Sequence, residues 1–319
     1  MYIEQAYKGL TDAWRYIVGA IIIVVGWQIL GYFPLIAGLF IKMDGFENFP
    51  ADIPGMVALL GGNLFLFLML ISFAIGLVAV FICSKYLHQL SIKNLTTTRA
   101  KIDWKRFWFI FILWGSFTSI MLVVDYLYIA PENYVWNFQL EPFLILLVLG
   151  LFLLPLQTSF EEYAFRGYGM HFLGTLAKNR WLPLVLTSIG FGLLHIFNPE
   201  VEKLGLIIMV YYIGTGLFLG IITLMDDGLE LALGFHFANN LFTALLVTAD
   251  WTALQTDSIL KDISDPSEMT ISEIIVPVFI IFPILLFILA KKYKWTDWKG
   301  KLLGPVVEPP KEDYKILEE

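Results

Sequence analysis

Apolar runs dominate the chain and polar residues gather between them. Eight stretches reach the ~20 residues that a helix needs to cross ~30 Å of hydrocarbon: 14–41, 56–83, 105–130, 142–175, 181–200, 204–225, 229–250 and 271–290. Trp and Tyr cluster near their ends, at Trp14, Trp104, Trp108, Tyr134, Trp136, Trp181, Trp251, Trp295 and Trp298, as residues of an interfacial belt do. The pattern predicts an all-α fold, a polytopic membrane helical bundle of about eight transmembrane helices. A single transmembrane domain is expected over 1–290. The segment 291–319, with Gly304, Pro305, Pro309, Pro310 and many charges, reads as a largely disordered tail.

Composition agrees. Hydrophobic residues make up 58% and charged residues 15%, against about 25% charged in a soluble domain, and mean hydropathy is +0.74. A net charge of −7 argues against nucleic acid as a partner. The one cysteine, Cys83, rules out an internal disulfide, an iron–sulfur cluster or a cysteine-rich zinc site. It is expected as a small apolar residue at a helix end. Met1 to Thr11 is mixed polar and the first apolar run is far longer than a signal-peptide core, so no cleavable leader is expected.

Charge also orients the chain. With eight spans, eighteen of the 21 Lys and Arg residues fall on the side of the two termini, leaving Lys42, Lys203 and Lys261 opposite. The bias puts both termini in the cytoplasm. The short connector Met225–Glu230 gives no support, since it holds Asp226, Asp227 and Glu230 and no basic residue. The basic connector from Ser84 to Lys105 reads as a surface linker. The acidic one from Asp250 to Ser272 faces outward, where it can form a flap. No internal repeat is visible, which disfavours a repeat-built transporter.

Ionisable residues inside apolar spans need a reason, because a charge at the bilayer centre costs ~2.5–3.5 kcal/mol even on lenient scales. The fourth span holds the densest group, Phe160-Glu161-Glu162-Tyr163-Ala164-Phe165-Arg166-Gly167. Glu162 and Arg166 are four apart and share a helix face, so they can pair. Glu161 points about 100° away and has no local partner. Pro155 cannot donate its backbone hydrogen bond and is expected to kink the helix just before. The fifth span contains Phe191-Gly192-Leu193-Leu194-His195. Glu161 lies 14 residues before Thr175 and His195 lies 14 after Trp181, so antiparallel helices put both at about 21 Å depth. Gly190 and Gly192 allow close helix approach. In the seventh span His236 and Asn240 project from one face. Gly216 and Gly220 of the sixth form a GxxxG packing pair. His88 and His171 fall near span ends and are expected at the interface. Asp125 and Asn63 are isolated polar residues.

Glu161 to Gly167 resembles the EExxxR motif of the CAAX prenyl endopeptidase and bacteriocin-processing family (CPBP, or ABI). FGLLH, ending at His195, is similar to its FxxxH motif, and HFANN, from His236 to Asn240, to its HxxxN motif. The three occur in the family's order on separate predicted helices, without departure, over about a quarter of the chain. The resemblance implies an intramembrane glutamic endopeptidase with its catalytic core in 142–250. Glu161 would activate a water with help from His195. His236 and Asn240 would stabilise the oxyanion. Glu162 and Arg166 would hold the helix, with Phe191 in support. The chemistry is sound, since amide hydrolysis needs a base, a water and donors for developing charge.

No cofactor and no metal are expected. A zinc site from Glu161, His195 and His236 is the competing use of the same side chains, disfavoured by the lack of HExxH and by Asn240, a poor zinc ligand. The implied partners are a peptide or protein substrate in or at the membrane and the lipid bilayer, and the expected location is the bacterial cytoplasmic membrane. Two readings of other classes stand beside the enzyme: a non-catalytic binding protein such as a bacteriocin-immunity factor, and a transporter with a proton path. The intact motifs favour the enzyme. Nothing in the sequence names the substrate.

Overall fold

A computed structural model describes residues 1–45, 49–50 and 52–310. Among these, six helices are long and apolar enough to cross a membrane: α1 (Ala13–Lys42), α2 (Gly62–Leu87), α3 (Trp104–Ile129), α4 (Leu140–Ala177), α6 (Leu206–Asp226) and α8 (Ile271–Tyr293). The remaining two of the eight expected are shorter, α5 (Trp181–Leu193) and α7 (Glu230–Leu246). The bundle is all-helical as the pattern predicts, apart from one small sheet.

The two short helices are also the ones richest in motif residues. α5 stops well before residue 200. Asn198 is held extended by the following proline, which disfavours a helical residue before it, and a separate short helix, Pro199–Leu204, follows. α7 is buried along nearly its whole first half, Glu230 to Ala238. It packs against α3 and α4 on its flanks, so protein rather than lipid surrounds its polar groups. Glycine permits this closeness. A side chain at Gly234 would meet the Phe107 carbonyl of α3, and one at Gly216 would meet the backbone of Ser188 on α5. The predicted GxxxG pair is thus a packing seam between α5 and α6.

At ~1.5 Å per residue, the 38 residues of α4 extend about 57 Å, far more than ~30 Å of hydrocarbon. The excess is sheathed in protein. Tyr163, Arg166, Tyr168, Met170 and His171 are all buried. Pro155 lies inside this helix, and a wider π-helical stretch, Tyr163–Gly169, follows the paired glutamates.

The face carrying the N-terminus and residues 298–306 is a charged plate. The acidic connector that offers no basic residue is neutralised by the others. Asp226 pairs with Arg99 at 2.8 Å and with Arg106, Glu230 pairs with Arg99 at 3.1 Å, and Asp227 pairs with Lys301. His88 and His171, expected at the interface, are buried here instead. His88 Nδ1 donates to the Leu10 carbonyl at 2.7 Å and its Nε2 accepts from Tyr168 at 2.8 Å. The Tyr2 ring packs against His171 at 5.2 Å between centroids, tilted by 47°. The described part of the segment expected to be disordered, residues 291–310, is docked in part. Trp298–Leu303 form a helix, α9, capped by Asp297. Arg180 donates to the Gly300 carbonyl at 2.9 Å, and buried Val306 bonds back to Lys178. These partners lie more than a hundred residues away, beyond the reach of a local composition argument. Residues 311–319 lie outside the described residues.

On the opposite face a three-stranded sheet forms from β1 (Tyr134–Trp136), β2 (Val247–Ala249) and β3 (Leu260–Asp262), in the order β1-β3-β2. It anchors the acidic outer connector. Asp125 and Asn63 find partners on this side, Tyr134 at 2.5 Å and the Pro142 carbonyl at 2.9 Å.

Candidate active site

Three helices bring the motif residues together. On α4, Glu162 accepts from Arg166 Nη1 at 3.1 Å, both side chains fully buried. The same Glu162 oxygen accepts from His236 Nδ1 on α7 at 2.8 Å. Arg166 Nη2 donates to the Gly216 carbonyl on α6 at 3.0 Å, and its guanidinium lies 4.4 Å over the Phe191 ring of α5. The i,i+4 pair is thus the hub on which four helices converge, and Phe191 is one wall of it.

Glu161 turns to the other side of the hub. Its Oε1 accepts from Gln157 Nε2, one turn earlier, at 2.5 Å. Its Oε2 lies 3.6 Å from His236 Nε2 and is buried with no hydrogen bond to protein. Asn240 Nδ2 donates to Gln157 Oε1 at 2.9 Å, so Glu161, Gln157 and Asn240 are linked across α4 and α7.

His195 stands apart. It sits in the turn just after α5 rather than within the helix. Its Nδ1 is 2.8 Å from the Phe191 carbonyl, and a carbonyl only accepts, so Nδ1 carries the proton. Nε2 is left as an acceptor in the neutral ring. The ring stacks on Tyr212 of α6 at 4.4 Å between centroids. Among the described residues no hydrogen bond joins His195 to Glu161. His195 is near enough to Glu161, His236 and Arg166 to feel their charges. Gly190 and Gly192 do not both serve the contact with α4: Gly190 faces Phe165 of that helix, while Gly192 faces Ile213 of α6.

Charge counting describes the cluster. Glu161 and Glu162 against Arg166 leave one negative charge in a buried site, and a net buried charge is expensive. Among the described residues, no three His, Cys, Asp or Glu side chains converge closely enough to hold a metal ion. Gln157 and Tyr212 were missed by motif reasoning. Gln157 carried a signal, being a polar residue four before Glu161 on an apolar helix.

Residues 139–242 match the family model of type II CAAX prenyl endopeptidase Rce1-like proteins, a segment that contains every residue of this cluster. That segment is therefore similar to Rce1-like endopeptidase domains. The chain is also 29% identical over 245 residues to the uncharacterized protein YyaK of Bacillus subtilis (strain 168), covering 76% of this chain and 80% of the relative. No solved structure matches the chain significantly. Six helices long and apolar enough to cross a membrane accompany this segment, as in an integral membrane protein, and the match points at the coarse level to a protease of the CAAX endopeptidase kind.

Proposed function

We propose that the Rce1-like domain hydrolyses its substrate by a glutamate-activated water, with Glu161 as general base. The observation that carries this reading is the buried Glu161 Oε2, bonded to no protein group while the other oxygen is fixed by Gln157. A water beside it can give one hydrogen to Glu161 Oε2 and the other to His195 Nε2, both acceptors, which leaves its lone pair for the scissile carbonyl. As the oxygen–carbon bond forms, Glu161 takes the proton and the carbonyl π pair moves onto oxygen. The second N–H of Asn240 and a protonated His236 Nε2 stabilise that oxyanion. The proton on Glu161 then passes to the leaving nitrogen as the C–N bond breaks. Glu162 and Arg166 hold His236 and the helix in place, and Phe191 supports Arg166.

We read the reaction as metal-independent, because among the described residues Glu161, His195 and His236 do not converge closely enough to hold a metal ion. The substrate is a peptide or protein in or at the membrane. The non-catalytic binding role is the alternative.

The test compares peptide termini in membranes from cells carrying wild type or Glu161→Gln at matched expression, with and without a strong chelator. New termini present only with wild type, chelator or not, are the expected result. Termini retained in Glu161→Gln would remove Glu161 as the base. Loss on chelation would restore the zinc reading, and identical termini with a preserved phenotype would favour the binder. We further place the chain in a bacterial cytoplasmic membrane with the charged plate inside. Lys299→Cys should then react with an impermeant maleimide in inverted vesicles only. Labelling in intact cells would reverse the orientation.

A further inference from the structure

Trp114 Nε1 of α3 donates to Asn239 Oδ1 at 3.2 Å. Asn239 Nδ2 donates to Asn240 Oδ1 at 3.2 Å, Asn240 Nδ2 to Gln157 Oε1 at 2.9 Å, and Gln157 Nε2 to Glu161 Oε1 at 2.5 Å. Both ends dictate the same direction. An indole N–H only donates and an ionised carboxylate only accepts. Three amides in series between them have one orientation that satisfies every link.

We infer that Gln157 is a positioning residue for Glu161, and that a relay starting at Trp114 sets its orientation and that of Asn240. The inference rests on the reading of Glu161 as the base. Trp114, Asn239 and Gln157 stand at variable positions of the three motifs or outside them. Two consequences follow from geometry. Gln157 occupies Glu161 Oε1, so the carboxylate plane is fixed and Oε2 alone faces the water. Asn240 is prevented from flipping, because Asn239 holds its oxygen and Gln157 one of its hydrogens. It therefore offers the substrate an N–H; flipped, it would set a carbonyl oxygen against an oxyanion.

The experiment uses full-length protein in detergent or liposomes and, as probe, a fluorescence-quenched synthetic copy of the membrane peptide whose new terminus depends on Glu161. Gln157→Met keeps length and volume but makes no hydrogen bond. Gln157→Glu keeps the acceptor for Asn240 and loses the donor to Glu161. Trp114→Phe keeps a ring in the core and loses only the N–H. The expected result is a fall in kcat of about 10- to 100-fold for both Gln157 variants, as for a misplaced reacting group, with KM within about twofold and, for Gln157→Met, an unchanged unfolding midpoint. Trp114→Phe should lower kcat less, and the double variant Gln157→Met/Trp114→Phe should be no worse than Gln157→Met alone, because residues in one network do not add.

Wild-type kcat in Gln157→Met beside an inactive Glu161→Gln overturns the relay and leaves the base reading standing. Additive losses in the double variant, or kcat falling together with the unfolding midpoint, reduce Gln157 to a packing residue and overturn it as well. No Glu161-dependent peptide at all removes both readings.

Discussion

Replacing Arg166 by Met is the sharpest test of how the helices are held. Arg166 and Glu162 are both completely shielded from solvent, so their interaction needs no discount for screening. Met fills much of the space of the side chain but leaves the Glu162 carboxylate buried against His236 alone. Removing one partner of a buried pair costs ~3–5 kcal/mol, and the lost bond to the Gly216 carbonyl adds ~1 kcal/mol. The expected destabilisation is therefore about 4–6 kcal/mol, read as the free energy of unfolding by SDS in mixed micelles. The double variant Glu162→Gln/Arg166→Met should recover most of it. The amide that Glu162→Gln introduces carries no stranded charge and still offers an oxygen to His236 Nδ1. In the wild type, moreover, Glu162 Oε2 and Arg166 Nε already lack partners, so the ion pair is not an ideal one to lose. A buried pair exchanged for neutral groups is often close to neutral, and the double variant is expected within about 2 kcal/mol of wild type. A loss under about 1 kcal/mol for the single variant, or a double variant no better than the single, would refute the hub.

His88 gives a pH signature outside the spans. Burial is the main cause holding its imidazole below the ordinary value, so the folded state binds fewer protons than the unfolded one as pH falls below about 6.5. Stability should be fully present above that pH and decline through the window beneath it, and His88→Gln should flatten this part of the profile in thermal unfolding at pH 5–7; an unchanged slope would remove His88 as its source. Gly216→Ala puts a Cβ 2.8 Å from the Ser188 carbonyl oxygen and 3.0 Å from its Cα, backbone that yields poorly. A loss of about 1–3 kcal/mol, with weaker activity because the Arg166 acceptor is displaced, is expected in unfolding and cleavage assays; wild-type values in both would show that α5 and α6 can separate freely.

How much of this was legible depends on how far apart the interacting residues are in sequence. The Glu162–Arg166 pair and the shared face of His236 and Asn240 are periodicities within one helix, and the chain's pattern displays them directly. The long spans are equally local, since lipid demands an unbroken apolar run. The short helices were read too long because 181–200 and 229–250 are predominantly apolar. What ends them is the Asn198–Pro199 restriction and a β ladder whose partner strand is elsewhere. The network from Trp114 to Glu161 crosses three helices, and no spacing rule connects residue 114 with 239. The same holds for the docked tail and for Asp226, Asp227 and Glu230, whose counter-charges come from residues 99, 106 and 301.

The charged plate bears on the order in which the molecule is made. Tyr2 and Ile3 share one packed cluster with Leu90, Leu95, Tyr163, Met170, Leu229 and Val306. A protein threaded into a membrane during synthesis acquires its helices in turn, but contacts between its first and last residues must wait for the chain to be nearly complete. Insertion and closure are therefore separate events here. The helices that carry Glu161 and His236, and α5 leading to His195, enter the bilayer first, and the floor beneath α4 is laid last. A nascent chain that stalls before Val306 is held in the membrane with the helix carrying Glu161 unsupported, so closure of the plate follows a topology already settled.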